Sequence, residues 1–170
     1  MALEPPLNAS VDEVREALAP IRNDFTIALH MAENAFAVGA IIRVAHSFLA
    51  REIIIVGPGT YYEKASMGME KYETITRVAS DEELLEHIGA RPLWAVEKEA
   101  ATKSLYEVAA YPRDVVLLFG SERFGVPKSL IARASETIAI PIYGVNNSLP
   151  LVVAAGIVMN DWARRKVGAP

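Results

Sequence analysis

The sequence predicts an α/β fold: a mostly parallel sheet with helices on both of its faces. Three observations carry that expectation. The runs REIIIVG (Arg51 to Gly57) and DVVLLFG (Asp114 to Gly120) are apolar at nearly every position, as strands covered on both faces must be. Segments with helical spacing alternate with such runs along the chain, the pattern of a parallel sheet built by crossovers. The length of 170 residues and the 52% hydrophobic content suit one domain with a substantial core.

Taken in order, Met1 to Pro6 reads as a loose end. Ser10 with Glu13 is a capping-box pair and opens a short helix to about Ala19, closed by Pro20. Residues 1–23 are thus read as a tail and short helix, and 24–170 as a single domain. DFTIALHM (Asp24 to Met31) is a strand and ENAF the loop after it. Val38 to Leu49 is a helix whose stripe Val38, Ile41, Ile42, Ala45, Phe48 and Leu49 faces the core, with Gly39, Arg43, His46 and Ser47 opposite. Arg51 to Gly57 is the second strand, followed by a loop-rich stretch through the Gly57-Pro58-Gly59 turn. Ser80 caps a helix, DEELLEHI, that ends at Gly89. Pro92 to Glu97 is a strand and KSLYEVA a short helix or turn. DVVLLFG, PKSLIARA and TIAIPIYG continue as strand, helix and strand, and Leu149 to Lys166 is the last helix. That helix is apolar on nearly every side for three turns, so it is either a central core helix or packed on a second subunit. On the second reading Val158 lies on its outward side.

Composition removes several classes of function. With no cysteine there is no disulfide framework, no thiolate catalysis and no cysteine-based zinc site. His30, His46 and His87 lack metal-ligand spacing, so no metal is expected. No apolar run is long enough to span a membrane, the first residues lack a secretory pattern, and a cytoplasmic protein without membrane contact is expected. There is no G-x-G-x-x-G, no Walker loop and no nucleophile elbow. The net charge of −4 argues against diffuse binding of nucleic acid and leaves a local basic patch open.

The chemistry-bearing residues concentrate in the last third. VLLFGSERFGVP (Val116 to Pro127) and IPIYGVNNSLPLVVAAG (Ile140 to Gly156) each read as a strand, a glycine-containing polar loop and a helix. Two such loops at the carboxyl ends of neighbouring parallel strands would form a ligand crevice. On pattern alone Glu122 and Arg123 also fit a surface ion pair, Arg43 a solvated helix residue, and His46 a packed or solvated one.

Taken together with ENAFAVGAIIRVAHSFLAREIIIVG, these segments resemble, in order, the three motifs of the SpoU-type (TrmH-like) RNA ribose 2′-O-methyltransferases of the SPOUT superfamily. The resemblance spans roughly Phe25 to Trp162. It implies a trefoil knot at the C-terminal end of the sheet, S-adenosylmethionine held in the knotted crevice, a homodimer across the knot helices, and RNA (tRNA or rRNA) as substrate. It implies Arg43, Glu122 and Ser148 as catalytic residues. It implies Phe119, Gly120, Ser121, Gly125, Ile140, Pro141, Ser148 and Leu149 around the methyl donor, mainly through their backbone, and Asn34, Arg43 and Arg123 toward the substrate. Arg22, Lys128 and the C-terminal Arg164, Arg165 and Lys166 are further candidate RNA contacts.

Two positions depart from the family pattern. The first-motif asparagine is Ala37 here, and the third-motif asparagine after Ser148-Leu149 is Pro150; Asn34, Asn146 and Asn147 are the nearby amides able to replace them. Two readings therefore stand: an active 2′-O-methyltransferase, or a catalytically degenerate dimeric RNA-binding or interaction protein of the same fold. For the first, holding an arginine neutral at pH 7 costs about 7 to 9 kcal/mol. Arg43 either takes the hydroxyl proton transiently or stays charged and stabilises the developing alkoxide.

Overall fold

The structure is a computed structural model describing residues 8–146 and 148–167. The expected loose end at Met1 to Pro6 and the amide of Asn147 lie outside the described residues. Seven strands form one sheet in which every pairing is parallel. They are β1 (Phe25–His30), β2 (Glu52–Val56), β3 (Ile75–Val78), β4 (Leu93–Val96), β5 (Lys103–Ser104), β6 (Val115–Phe119) and β7 (Glu136–Ala139), in the spatial order β3-β2-β1-β6-β4-β7-β5. The helices are α1 (Val11–Leu18), α2 (Ala35–Ser47), α3 (Glu63–Ser66), α4 (Asp81–Ile88), α5 (Lys128–Ile131) and α6 (Leu151–Val167).

The two-residue period of the strands divides the core. Phe25, Ile27 and Leu29 of β1 face one cluster with Val38, Ile41, Ile42 and Ala45 of α2 and Leu151, Ala155, Val158, Met159 and Trp162 of α6. Ala28, Ile54 and Leu118 face the other, against Leu84 and Ile88 of α4 and Leu130 of α5. Helices thus cover both faces. Each fully buried Leu, Ile or Phe side chain contributes about 1.5–3 kcal/mol relative to exposure. α1 is joined to this body: Val14 and Leu18 are buried and Arg15 Nε donates to the Lys71 carbonyl at 2.7 Å. Among the described residues no helix is long and apolar enough to cross a membrane, and no group of three or more His, Asp or Glu is placed to hold a metal.

Several boundaries differ from the sequence expectation, each for a local reason. α2 begins at Ala35 rather than Val38, because Asn34 caps it: its Oδ1 accepts from the amides of Phe36 (3.0 Å) and Ala37 (3.2 Å). The stretch after Gly59 contains α3, a 3-10 turn at Met69–Lys71 and β3. β3 is an edge strand with only Val78 buried, so it shows neither an apolar run nor a clean alternation. The strand expected in TIAIPIYG stops at Ala139. α6 starts after Pro150, whose carbonyl accepts from Val153 (2.9 Å) and Ala154 (3.0 Å). Val158, expected on the outward side of α6, is wholly buried in the chain's own core, while Val153 is 43% exposed. The buried positions 151, 155, 158, 159 and 162 follow one helical stripe.

Candidate functional site

The carboxyl edge of the sheet carries the candidate residues, with one correction to their arrangement. β6 and β7 are not neighbours, because β4 lies between them. At strand spacings of about 4.8 Å their ends stand about 10 Å apart. Between them stands the end of β4, with Glu97 directly after it.

Phe119 closes β6 and is buried; Gly120 begins the loop. Ser121, 5% exposed, organises it: Oγ accepts from the Phe124 amide at 3.1 Å and its carbonyl from Gly125 at 2.9 Å. Gly125 has φ +66°, a conformation side chains rarely adopt. A Cβ on Gly120 would overlap the Gly125 carbonyl carbon and the Val126 nitrogen, so the loop closes this tightly only with glycine there. Glu97 bolts the loop to β4. Its Oε2 accepts from Val126 N at 2.9 Å and Oε1 from Lys98 N at 2.9 Å, and a Cβ on Gly125 would collide with the same carboxylate. Sequence reasoning passed over Glu97. The signal available was a carboxylate at the end of a strand between two candidate loops.

The third segment follows β7. Ile140 and Pro141 are half-buried and, with the residues up to Asn146, belong to no helix or strand. Tyr143, Gly144, Val145 and Asn146 are exposed. Asn146 Oδ1 accepts from the Ser148 amide at 3.4 Å. Ser148 is exposed and Leu149 half-buried, directly ahead of α6.

Glu122, Arg123 and Ser148 therefore project from the two loops that flank the end of β4. Glu122 and Arg123 are both exposed and form no ion pair with each other; the Arg123 guanidinium instead lies 5.0 Å from the centroid of the Phe124 ring. Arg43 is placed differently. α2 runs back from the carboxyl edge, so eight residues past Ala35 Arg43 lies about 12 Å down the helix. Its neighbour Val44 lies against α6, where a Cβ on Gly156 would sit 3.9 Å from Val44 Cγ1. Arg43 is exposed, and among the described residues no hydrogen bond or ion pair joins its guanidinium to either loop. The Asn34 side-chain oxygen is committed to the helix cap, and Ala37 is buried beneath that turn.

Other expected RNA contacts are engaged elsewhere. Arg22 is fixed by the carbonyls of Ala50 (2.7 Å) and Tyr72 (2.6 Å) and by Glu73, whose side chain is fully buried; with its own side chain 14% exposed, it is part of the scaffold. Arg164 and Arg165 bond Asp161, and Lys166 bonds Asp24. His46 is a packed helix residue, its Nδ1 2.7 Å from Glu73. Lys128 remains exposed at the start of α5.

A model of the SpoU rRNA Methylase family matches residues 24–160. A putative TrmH family tRNA/rRNA methyltransferase of Bacillus subtilis, YacO, is 28% identical over 165 residues, which cover 93% of this chain and 66% of that protein. The tRNA (guanosine(18)-2′-O)-methyltransferase of Escherichia coli K12 is 23% identical over 158 residues, 91% of this chain and 69% of that protein. Among solved structures, an AdoMet-bound rRNA methyltransferase from Sinorhizobium meliloti superposes with a TM-score of 0.77 at 28% identity, covering 89% of this chain and 61% of that one. The chain spans about two thirds of the length of these curated relatives.

Proposed function

The chain belongs to the SpoU rRNA methylase family, whose model covers residues 24–160, and from that premise we propose that it is an S-adenosylmethionine-dependent methyltransferase acting on the ribose 2′-hydroxyl of tRNA or rRNA. The observation that carries this reading is the second-motif loop. Gly120, Ser121 and Gly125 form a close-packed turn at a strand end, clamped by Glu97, with Glu122 and Arg123 left facing outward. The adenine and ribose of the donor present neutral hydrogen-bonding edges, which suit a cradle made of backbone amides and carbonyls. The donor-facing residues are Phe119, Gly120, Ser121, Gly125, Ile140, Pro141, Ser148 and Leu149. When bound, S-adenosylmethionine supplies a methyl group on a sulfonium.

The protein's part is to orient the hydroxyl and to manage its proton. Arg43 acts as a cation, because neutralising a guanidinium at pH 7 costs about 7 to 9 kcal/mol. A positive group brought beside a developing alkoxide stabilises the transition state directly, and the proton passes to solvent. Glu122, projecting from the second-motif loop that Ser121 and Glu97 hold, contacts donor and substrate. Ser148 offers a hydroxyl at the mouth, and Asn34 and Arg123 contact the RNA. Because Arg43 stands down the α2 helix beside α6, a homodimer packed through the exposed side of α6, with Val153 at its centre, brings added surface to it. Membership of the family supports a C-terminal trefoil knot. An RNA substrate and the lack of cysteine fit a cytoplasmic protein.

Calorimetry with S-adenosylmethionine in the presence of chelator, followed by mapping of 2′-O-methyl groups in RNA from cells with and without the gene, tests the reading. Donor binding and one missing methyl group are expected. Donor binding with no missing methyl group would favour the degenerate dimer, for which Ala37 and Pro150 in place of asparagines are the specific observation.

A further inference from the structure

The tip of the β6–α5 loop holds a feature that methyl transfer leaves unused. Phe124 is 72% exposed, although burial of such a ring is worth about 1.5–3 kcal/mol. The loop gives it little freedom to turn inward. Its own amide is held by Ser121 Oγ, the next amide by the Ser121 carbonyl, and the one after by Glu97. Over the ring lies the Arg123 guanidinium, 5.0 Å from its centroid, exposed and in no ion pair among the described residues.

We propose that Phe124 and Arg123 form a base-stacking platform for an unpaired nucleotide of the RNA, next to the nucleotide that receives the methyl group. The proposal rests on the RNA reading above. A ring and a guanidinium are the two planar groups on which bases stack in proteins, and the guanidinium adds a positive charge for the adjoining phosphate. The chain carries a net charge of −4, so diffuse attraction to a phosphate backbone is weak and affinity must come from local contacts of this kind. Base faces are accessible only in loops and single strands, so the platform selects unpaired RNA over duplex. Phe124 lies two residues beyond Glu122 in the same clamped turn, and the bonds from Ser121 and Glu97 hold platform and site in fixed relation.

Fluorescence anisotropy with a labelled single-stranded oligoadenylate, a fully paired RNA duplex and unmodified tRNA tests this on wild type, Phe124→Ala and Phe124→Trp. Wild type is expected to favour the single strand over the duplex. Phe124→Ala should weaken binding to the single strand and tRNA by about 5-fold or more, while Phe124→Trp retains it. Donor affinity by calorimetry and mass by light scattering should not change. Unaltered RNA binding by Phe124→Ala alongside normal methylation by wild type overturns the platform alone. A lower mass for Phe124→Ala assigns the ring to a contact between two copies and also overturns it. Wild type that binds donor but none of the three RNAs overturns both the platform and the RNA reading.

Discussion

The candidate site loops at the carboxyl edge of the sheet and the amino edge use the same residue types in opposite ways, although His30 and Asp81 also pair at the carboxyl edge. At the amino edge several charges are paired, the Glu73 and Glu52 networks largely buried and the Arg51 and Lys166 pairs more exposed. Arg22, Glu73 and His46 form one network; Glu52 gathers Thr76, His87 and Arg91 in another; Arg51 bonds Asp114, and Lys166 bonds Asp24. At the carboxyl edge, Glu122, Arg123 and Ser148 stand exposed, their loops held by glycines and by Ser121 and Glu97 rather than by one another. Arg43, part way down α2, is exposed in the same way. On the proposed reading, that difference separates scaffold from site. A side chain whose hydrogen-bonding capacity is met inside the protein has little left for a ligand.

The largest expected effect lies at the amino edge. Glu73→Ala removes the only carboxylate among the described residues that holds Arg22 and leaves that cation part-buried among carbonyls. Breaking a buried pair from one side costs about 3–5 kcal/mol. In a domain of this size that lowers Tm by roughly 6–20 °C. Donor affinity measured well below the new Tm should stay near wild type. Loss of donor binding in a folded Glu73→Ala protein would break the division between the edges.

Next in size is Arg43→Ala, whose effect should fall on turnover instead. Activity on RNA is expected to drop by about 100-fold or more, as for loss of a group acting in the transition state, with donor affinity, mass and Tm near wild type. Arg43→Lys should rescue little, because lysine lacks the planar fork. Near-normal turnover by Arg43→Ala would remove Arg43 from the mechanism and move attention to Asn146 and Ser148.

These two arginines also show where sequence reading stops. Arg22 and Arg43 both stood among the candidate RNA contacts, Arg43 also as the catalytic arginine that the resemblance implies; what takes Arg22 out of that set is Glu73, some fifty residues beyond it in the chain and adjacent only in the fold. The alternation of strand and helix, the capped helices at Ser10 and Ser80, and the three motif segments were legible because each is written in a short local pattern. β3 was not, since an edge strand with one buried residue carries no such pattern. Strand order was not legible either, so β4 and Glu97 were missed between the two loops. Val158 was misplaced because a helix with apolar residues on every side does not say which stripe faces its own core.

A smaller effect is expected from acid. Burial alone would raise the Glu52 carboxyl, but hydrogen bonds from Thr76, His87 and Arg91 outweigh it and hold it below the usual range. Asp161 is likewise opposed by burial and held low by Arg165, Arg164 and Tyr111. A carboxyl lowered on folding contributes stability above its unfolded value, near 4, and loses it as pH falls through the folded value. Tm should therefore be nearly flat from neutral pH down to about 5 and fall below about 4. Glu52→Gln should start lower and fall less steeply; an equally steep fall would mean that this network does not set the acid limit.

The smallest expected effect sharpens the comparison most. Arg123→Ala removes a charge of the same kind as Arg22, but an exposed one that lies over the face of the exposed Phe124 ring. Substitutions at such positions change stability little, so Tm should move by less than about 2 °C while RNA binding weakens and its dependence on salt becomes shallower, as loss of one phosphate-facing cation requires. Thermal melts and anisotropy titrations at two salt concentrations read both quantities. A large fall in Tm with unchanged RNA affinity would show Arg123 to be scaffold, and would make the carboxyl edge no different in kind from the amino edge.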